Sequence, residues 1–204
     1  MCHVKKVINT NKDIKGINIV PRMMLFKLAL IAALIAAVVI TSWAVVDTGI
    51  HLTSDYEFCT NCHSHKPIGT SYREDIHGGN NSAGWRATCS DCHIPQDNAL
   101  SYLWVKGVHG VLDPTMEILK DPLEIDWHSN RERREEYVYD SGCLKCHKFL
   151  EQTSMANQKA FLPHRKYFNE EEQGLTCVGC HNHVGHANLG LHLEAQGWEK
   201  KHDQ

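Results

Sequence analysis

Aromatic residues are scarce in this chain of 204 residues, where Phe, Trp and Tyr together make up 8%. Rings that would fill the core of an ordinary domain are in short supply, so something other than side chains is expected to fill it. Long alternating runs of apolar and polar residues are also missing, which excludes a sandwich or barrel built on substantial strands. No stretch rich in Gly, Pro or Ser divides the region after Asp47, so that region reads as one domain. A basic excess is absent from the body of the chain. Up to Lys27 there are six basic residues (Lys5, Lys6, Lys12, Lys15, Arg22, Lys27) and one acid, Asp13, a net +5 that leaves −8 of the formal −3 for the rest. The basic end therefore reads as a membrane-orientation signal and excludes a nucleic-acid patch.

One long apolar run is present and no second follows it. Leu28 to Val46 is 19 residues without a charge, roughly 28 Å as a helix against a hydrocarbon core of about 30 Å. Basic residues flank its start and Asp47 follows its end, so the positive-inside rule leaves the tail in the cytoplasm and exports everything after Val46. Trp43 suits the outer interface. The expected organisation is a cytoplasmic basic tail at 1–24, a transmembrane anchor at 25–46 and a periplasmic domain at 47–204. The competing reading is a cleaved secretory signal, because Ser42 and Ala44 are small enough for a peptidase, but signal cores usually run only about 7 to 15 residues.

Cysteine and histidine are what the chain has in plenty, nine and 15 of them. Eight of the nine Cys fall in four copies of Cys-x-x-Cys-His: Cys59, Cys62 and His63; Cys89, Cys92 and His93; Cys143, Cys146 and His147; Cys177, Cys180 and His181. This is the attachment signature of c-type haem. Two thiols three positions apart reach the edge of one macrocycle, and the adjacent imidazole can lie under the iron. A chain of this composition would contain roughly 0.03 copies by chance. Zinc held by paired Cys-x-x-Cys units is the rival reading, but a structural zinc site does not need a His after the second Cys in every copy. Disulfides suit an exported domain and leave the four His equally unexplained. Four covalent haem c groups are therefore expected, on a fold of mostly α and coil with little or no sheet. Cys2 falls on the cytoplasmic side and is given no role.

Helices are expected around Ser101 to Leu112, ended by Pro114, around Ile125 to Tyr139, and from Ser64 to His77. His77 to Gly84 and Asp113 to Pro122 read as loops. Each six-coordinate haem needs a second axial ligand, usually His. With His3 cytoplasmic and His202 terminal, the pool is His51, His65, His77, His109, His128, His164, His183, His186 and His192.

These residues resemble the NapC/NirT/NrfH family of membrane-anchored multihaem quinol dehydrogenases. The likeness runs from about Asp55 to Gly190 and rests on Glu57-Phe58-Cys59, on Arg86-Ala87-Thr88-Cys89-Ser90-Asp91-Cys92-His93-Ile94-Pro95, and on Thr176-Cys177-Val178-Gly179-Cys180-His181 followed by Gly185-His186. It implies electron transfer from a menaquinol or ubiquinol, through four haems, to a periplasmic terminal reductase such as a nitrate or nitrite reductase. The location implied is the bacterial inner membrane, crossed once, and a complex or homo-oligomer stays open. It also implies axial pairs of His93 with His186, His147 with His77, and His181 with His164.

The first haem departs from the pattern. Relatives often read Cys-x-x-Cys-His-x-Met and use the Met, whereas this chain has His63-Ser64-His65, so either His63 binds in the ordinary way or His65 takes the Met position. Gln96 stands where many relatives have His, which implies an open or weakly filled distal side. The resemblance further implies a Lys and an acid near that haem, seven residues apart, and Lys106 and Asp113 match. On a helix they share one face, with His109 between them. A quinol loses protons as well as electrons, so a carboxylate and an imidazole are suitable acceptors. The bland alternative is a solvated charged face. Two other functions compete with quinol oxidation: a tethered multihaem shuttle with no quinol site, which the anchor disfavours, and a small reductase acting at an open haem, for which about 158 residues around four haems leave little protein.

Overall fold

The computed structural model describes residues 21–169 and 173–198, and these divide into two units between Gly49 and Ile50. Cys2, His3, His202 and most of the basic tail lie outside the described residues. The described part of the first unit is most of one helix, α1 (Arg22–Leu52), of 31 residues. None of its residues is buried, and a helix apolar on every face is one made for lipid. It outruns the expected 25–46 at both ends because Asp47, Thr48 and Gly49 are tolerated in a helix already formed. It stops where the Thr53 and Ser54 hydroxyls donate to the carbonyl of Ile50.

In the second unit short helices follow in chain order: α2 (Tyr56–Cys59), a 3₁₀ turn (His63–His65), α3 (Lys66–Glu74), α4 (Cys89–His93) and α5 (Ala99–Leu119). After a second 3₁₀ turn (Pro122–Glu124) come α6 (Trp127–Glu132), a third (Arg134–Glu136), α7 (Asp140–Cys146), α8 (Leu150–Ser154), α9 (Gln158–Phe168), α10 (Cys177–Cys180) and α11 (Leu189–Glu194). Among the described residues there is no strand, only an isolated bridge between Gly78 and Arg86. The fold is thus mostly helix and coil with a single apolar anchoring helix.

Three local expectations are corrected. Pro114 does not end a helix, and Asp113 to Pro122 is not a loop, because α5 runs on to Leu119. Proline forfeits one backbone bond, but the last turn is tied elsewhere: the Glu117 carboxylate accepts from the Ser64 N–H at 3.1 Å and from its hydroxyl at 2.6 Å. The single helix expected over Ile125 to Tyr139 is instead α6 and a 3₁₀ turn, broken at Arg133. Two tertiary bonds pull the segment out of one helix: Arg134 donates to the carbonyl of Val178 at 3.0 Å, and the Tyr139 N–H reaches the carbonyl of Cys92 at 3.0 Å. From Ser64 to His77 the helix covers only Lys66–Glu74.

The buried apolar set is small: Tyr72, Ala87, Ile94, Val178, Leu193 and Trp198. Cohesion comes instead from polar ties that link successive Cys-x-x-Cys-His motifs. Between the first and second, Ser90 N–H donates to the carbonyl of Ser54 at 3.3 Å. Between the second and third, α7 lies so close to α4 that a Cβ on Gly142 would meet the Asp91 carbonyl oxygen at 1.9 Å, and Lys145 pairs with Asp91 at 2.8 Å. Between the third and fourth, the Asp140 carboxylate accepts from the Cys177 N–H at 2.9 Å and from the Tyr167 hydroxyl at 2.8 Å.

Candidate haem-binding cavity

The second and fourth motifs begin on capped helices. Thr88 and Asp91 form a capping box at the start of α4, and Thr176 accepts from the Gly179 N–H at 3.0 Å at the start of α10. Each such cap contributes about 1 kcal/mol and fixes the first thiol of its motif at the opening turn of a short helix, with the second one turn on and on the same face.

All eight motif cysteines line one cavity of 3130 Å³. Divided among four equal occupants that is about 780 Å³ each, inside the roughly 300–1,000 Å³ of ordinary cofactor sites. The thiols also meet across motifs: Cys59 hydrogen-bonds with Cys89, and Cys143 with Cys177. Within these pairs the shared bond, opposed by burial, lowers Cys59 and holds Cys143 at about 7, while the same bonds and burial raise Cys89 and Cys177. Burial pushes Cys92 up to about 12.

The imidazoles stand in pairs. The rings of His77 and His147 have centroids 6.3 Å apart, those of His93 and His186 6.1 Å, and those of His164 and His181 6.1 Å. Two imidazoles that share one metal ion at roughly 2.0 Å from each nitrogen stand about this far apart. In three of these rings Nδ1 is engaged: that of His77 meets Asp75 Oδ1 at 3.1 Å, that of His93 the Tyr137 carbonyl at 2.8 Å, and that of His186 the Ile68 carbonyl at 3.3 Å. A bond from Nδ1–H leaves the Nε2 lone pair for a metal. Burial keeps both His93 and His186 neutral, the latter at about 4. His164 Nδ1 is buried with no partner.

Other members of the histidine pool are spent elsewhere. His128 is buried with Nε2 on the Trp198 carbonyl at 3.0 Å and Nδ1 on Arg131 at 3.2 Å, so neither nitrogen is free for iron. His192 Nε2 meets Glu74 at 2.9 Å.

The first motif is built differently. Cys59 closes α2, Cys62 is extended (φ −73°, ψ 136°), and His63 opens a 3₁₀ turn. His63 is exposed, packs on Trp198 at 6.3 Å between centroids and does not line the cavity. His65 does line it, edge-on to Trp127 at 5.7 Å. Burial lowers the His65 pKa, against the pull of Asp113 and Glu117.

Lys106, His109 and Asp113 face the cavity from α5, as the seven-residue spacing required. Their bonds divide them. His109 Nδ1 pairs with Asp113 at 3.2 Å. The Lys106 ammonium instead donates to the Thr53 carbonyl at 3.1 Å, the Ser54 hydroxyl at 2.9 Å and the Ser90 hydroxyl at 3.2 Å, so all three of its N–H groups are taken. It clamps residues 53 and 54 to the second motif. Asp113 still reaches the first motif: after burial and Glu117, it is the next group raising the Cys62 thiol. Glu117, Ser64 and Trp127, whose buried Nε1 has no partner, were missed in the sequence. Glu117 lies one turn beyond Asp113 on the same face, a relation hidden once Pro114 is taken as a stop.

The model of the NapC/NirT cytochrome c family, N-terminal region, matches residues 21–190. The denitrification system component NirT of Stutzerimonas stutzeri is 31% identical over 169 residues, 77% of this chain and 79% of its own length. The cytochrome c-type protein NapC of Escherichia coli K12 is 28% identical over 157 residues, 72% of this chain and 76% of its own. Among solved structures, the cytochrome c nitrite reductase NrfHA complex bound to the HQNO inhibitor contains a chain 26% identical, with a TM-score of 0.46, covering 77% of this chain and 90% of that one.

Proposed function

This chain belongs to the NapC/NirT cytochrome c family, cytochromes that carry electrons through covalently bound haem c in respiratory systems, and from that premise we propose that it oxidises a membrane quinol and relays the electrons through four haems to a periplasmic reductase. The observation that carries the reading is the two-sidedness of α5. Toward the cavity it presents Lys106, His109, Asp113 and Glu117. Its other face is apolar and unpartnered, with Leu100 81%, Trp104 74% and Ile118 82% exposed. Such a helix suits the plane of a membrane interface, apolar side in lipid, and Lys106 bonds it to residues 53 and 54, directly after the anchor. A quinol arriving through lipid would meet the acid–base pair of Asp113 and His109 beside the Cys59 and Cys62 thiols.

The bound haems would supply one-electron iron chemistry along the row of motifs. The chain's own part is protons and position. Quinol to quinone releases two electrons and two protons; His109 and Asp113, 3.2 Å apart and partly exposed, accept the protons and pass them to water. The eight motif Cys would hold the macrocycles, and the pairs His77 with His147, His93 with His186 and His164 with His181 would serve three irons. His63 or His65 would serve the fourth. The sequential ties between motifs hold the four attachment sites in order from the first to the fourth. Orientation follows the basic N-terminal end, with the tail at 1–24 in the cytoplasm, the anchor across the inner membrane and the domain after residue 46 in the periplasm. The acceptor is proposed only as a class, a terminal reductase of nitrate or nitrite, in keeping with a relative that is a denitrification system component.

The test compares quinol-driven with dithionite-driven haem reduction in membranes. Wild-type protein reduces with both. Asp113→Asn and His109→Gln keep the full dithionite reduction and lose most of the quinol-driven rate; a normal quinol rate in both would remove the site.

A further inference from the structure

The choice between His63 and His65, which the proposed function leaves open, turns on the bonds around Ser64. Ser64 is 1% exposed, and its hydroxyl lies 2.6 Å from Glu117 Oε2 and 3.1 Å from His65 Nδ1. An ionised carboxylate only accepts, so the single hydroxyl hydrogen of Ser64 points at Glu117. The oxygen of Ser64 is then the acceptor toward His65, which fixes the hydrogen of that imidazole on Nδ1. The Ser64 N–H donates to Glu117 Oε1 at 3.1 Å, so both carboxylate oxygens hold one residue and the chain of bonds cannot easily rotate away.

The consequence is chemical. A neutral imidazole with its hydrogen on Nδ1 has its lone pair on Nε2, free for iron. It is the same arrangement as in His77, His93 and His186, whose Nδ1 atoms face a carboxylate or a carbonyl. His63 has no such environment: the extended backbone at Cys62 turns it out, and its ring rests on Trp198 away from the cavity lining. In the other three motifs the second Cys is helical and the following His faces a partner ring.

We propose that Glu117 and Ser64 hold His65 with its hydrogen on Nδ1, so that His65, and not His63, presents the axial imidazole to the haem on Cys59 and Cys62. Glu117 is then a positioning residue, acting through Ser64, and it makes the His65 nitrogen a stronger donor as carboxylates behind metal-bound imidazoles do. The inference rests on the haem attachment proposed for Cys59 and Cys62 and is independent of quinol oxidation.

The experiment uses the full-length holoprotein, with haem counted by pyridine haemochrome and each haem followed by magnetic circular dichroism during a mediated redox titration. In His65→Gly one haem of four loses its imidazole signature and added imidazole restores it; His63→Gly leaves the signatures as in wild type. Glu117→Gln keeps four haems and raises the midpoint potential of that same haem alone, because a neutral amide no longer strengthens the donor. Loss of the charge alone also raises that potential, so the deciding readout is the near-infrared charge-transfer band of that haem, which moves when its imidazole loses the bond behind it and stays in place when Glu117 merely ties α5 to the 3₁₀ turn. The proposal is overturned if His63→Gly removes the signature while His65→Gly does not, or if Glu117→Gln leaves that band in place. Should a His variant mature with fewer than four haems, His65→Met decides: it replaces one imidazole signature by a methionine one, and an unchanged signature overturns the proposal. No readout involves quinol, so a failed quinol assay leaves this result standing, and the reverse.

Discussion

In the second, third and fourth motifs both cysteines sit on a short helix, and the histidine that follows faces a second imidazole about 6 Å away. In the first motif the same pentapeptide straddles a helix end, its second Cys is extended, and its histidine looks outward. Where the other three motifs have a partner ring, the first has α5, with a carboxylate, an imidazole and an ammonium. One motif thus builds two kinds of site. Three pair imidazoles across the cavity, as the proposed electron relay needs; one is flanked by acid–base groups, as the proposed quinol site needs.

The largest expected effect lies on the symmetrical side. Replacing His77, His164 or His186 by Ala leaves every haem attached, since the covalent bonds come from Cys, and converts one low-spin iron of four to high spin by EPR. An unchanged spectrum in one variant removes that histidine from its pair. Next comes the asymmetric side: Asp113→Asn lowers the quinol-driven rate by about 10²-fold, the lower end for general acid–base catalysis, with no change in spin state. If the same change appeared on replacing a residue near the fourth motif, the division between the two kinds of site would fail.

Smaller effects separate positioning from chemistry. Gly142→Ala forces a Cβ against the Asp91 carbonyl and lowers stability by about 1–3 kcal/mol, the cost of overpacking, readable as a lower Tm with four haems retained. Lys106→Leu removes three bonds and leaves Ser54 and Ser90 short of a donor. It costs about 1–3 kcal/mol while slowing quinol-driven reduction less than Asp113→Asn does. A loss equal to that of Asp113→Asn, at unchanged stability, would return Lys106 to the chemistry.

The motifs were legible in the sequence because covalent attachment demands fixed residues at fixed spacing, and α1 because lipid demands an unbroken apolar run. Sheet content was legible from the missing alternation. The end of α5 was not, since Pro114 breaks helices locally, and here the bonds from Glu117 to Ser64, 53 residues away in sequence, carry the helix past it. The segment from Ile125 to Tyr139 failed for the same reason in reverse: its charge pattern suits a helix, but Arg134 and Tyr139 bond to the fourth and second motifs. Lys106 could be placed on the right face but not given its partners, because Thr53, Ser54 and Ser90 come from distant turns. Residue spacing carries ligands and faces; partners that arrive from elsewhere in the chain are settled only by packing.

The most direct test is a census of axial ligands in the oxidised full-length protein, by near-infrared magnetic circular dichroism beside a haem count. The account predicts four haems, three with two imidazoles each and one with a single imidazole. Four haems all ligated by two imidazoles, or fewer than four haems, would contradict it.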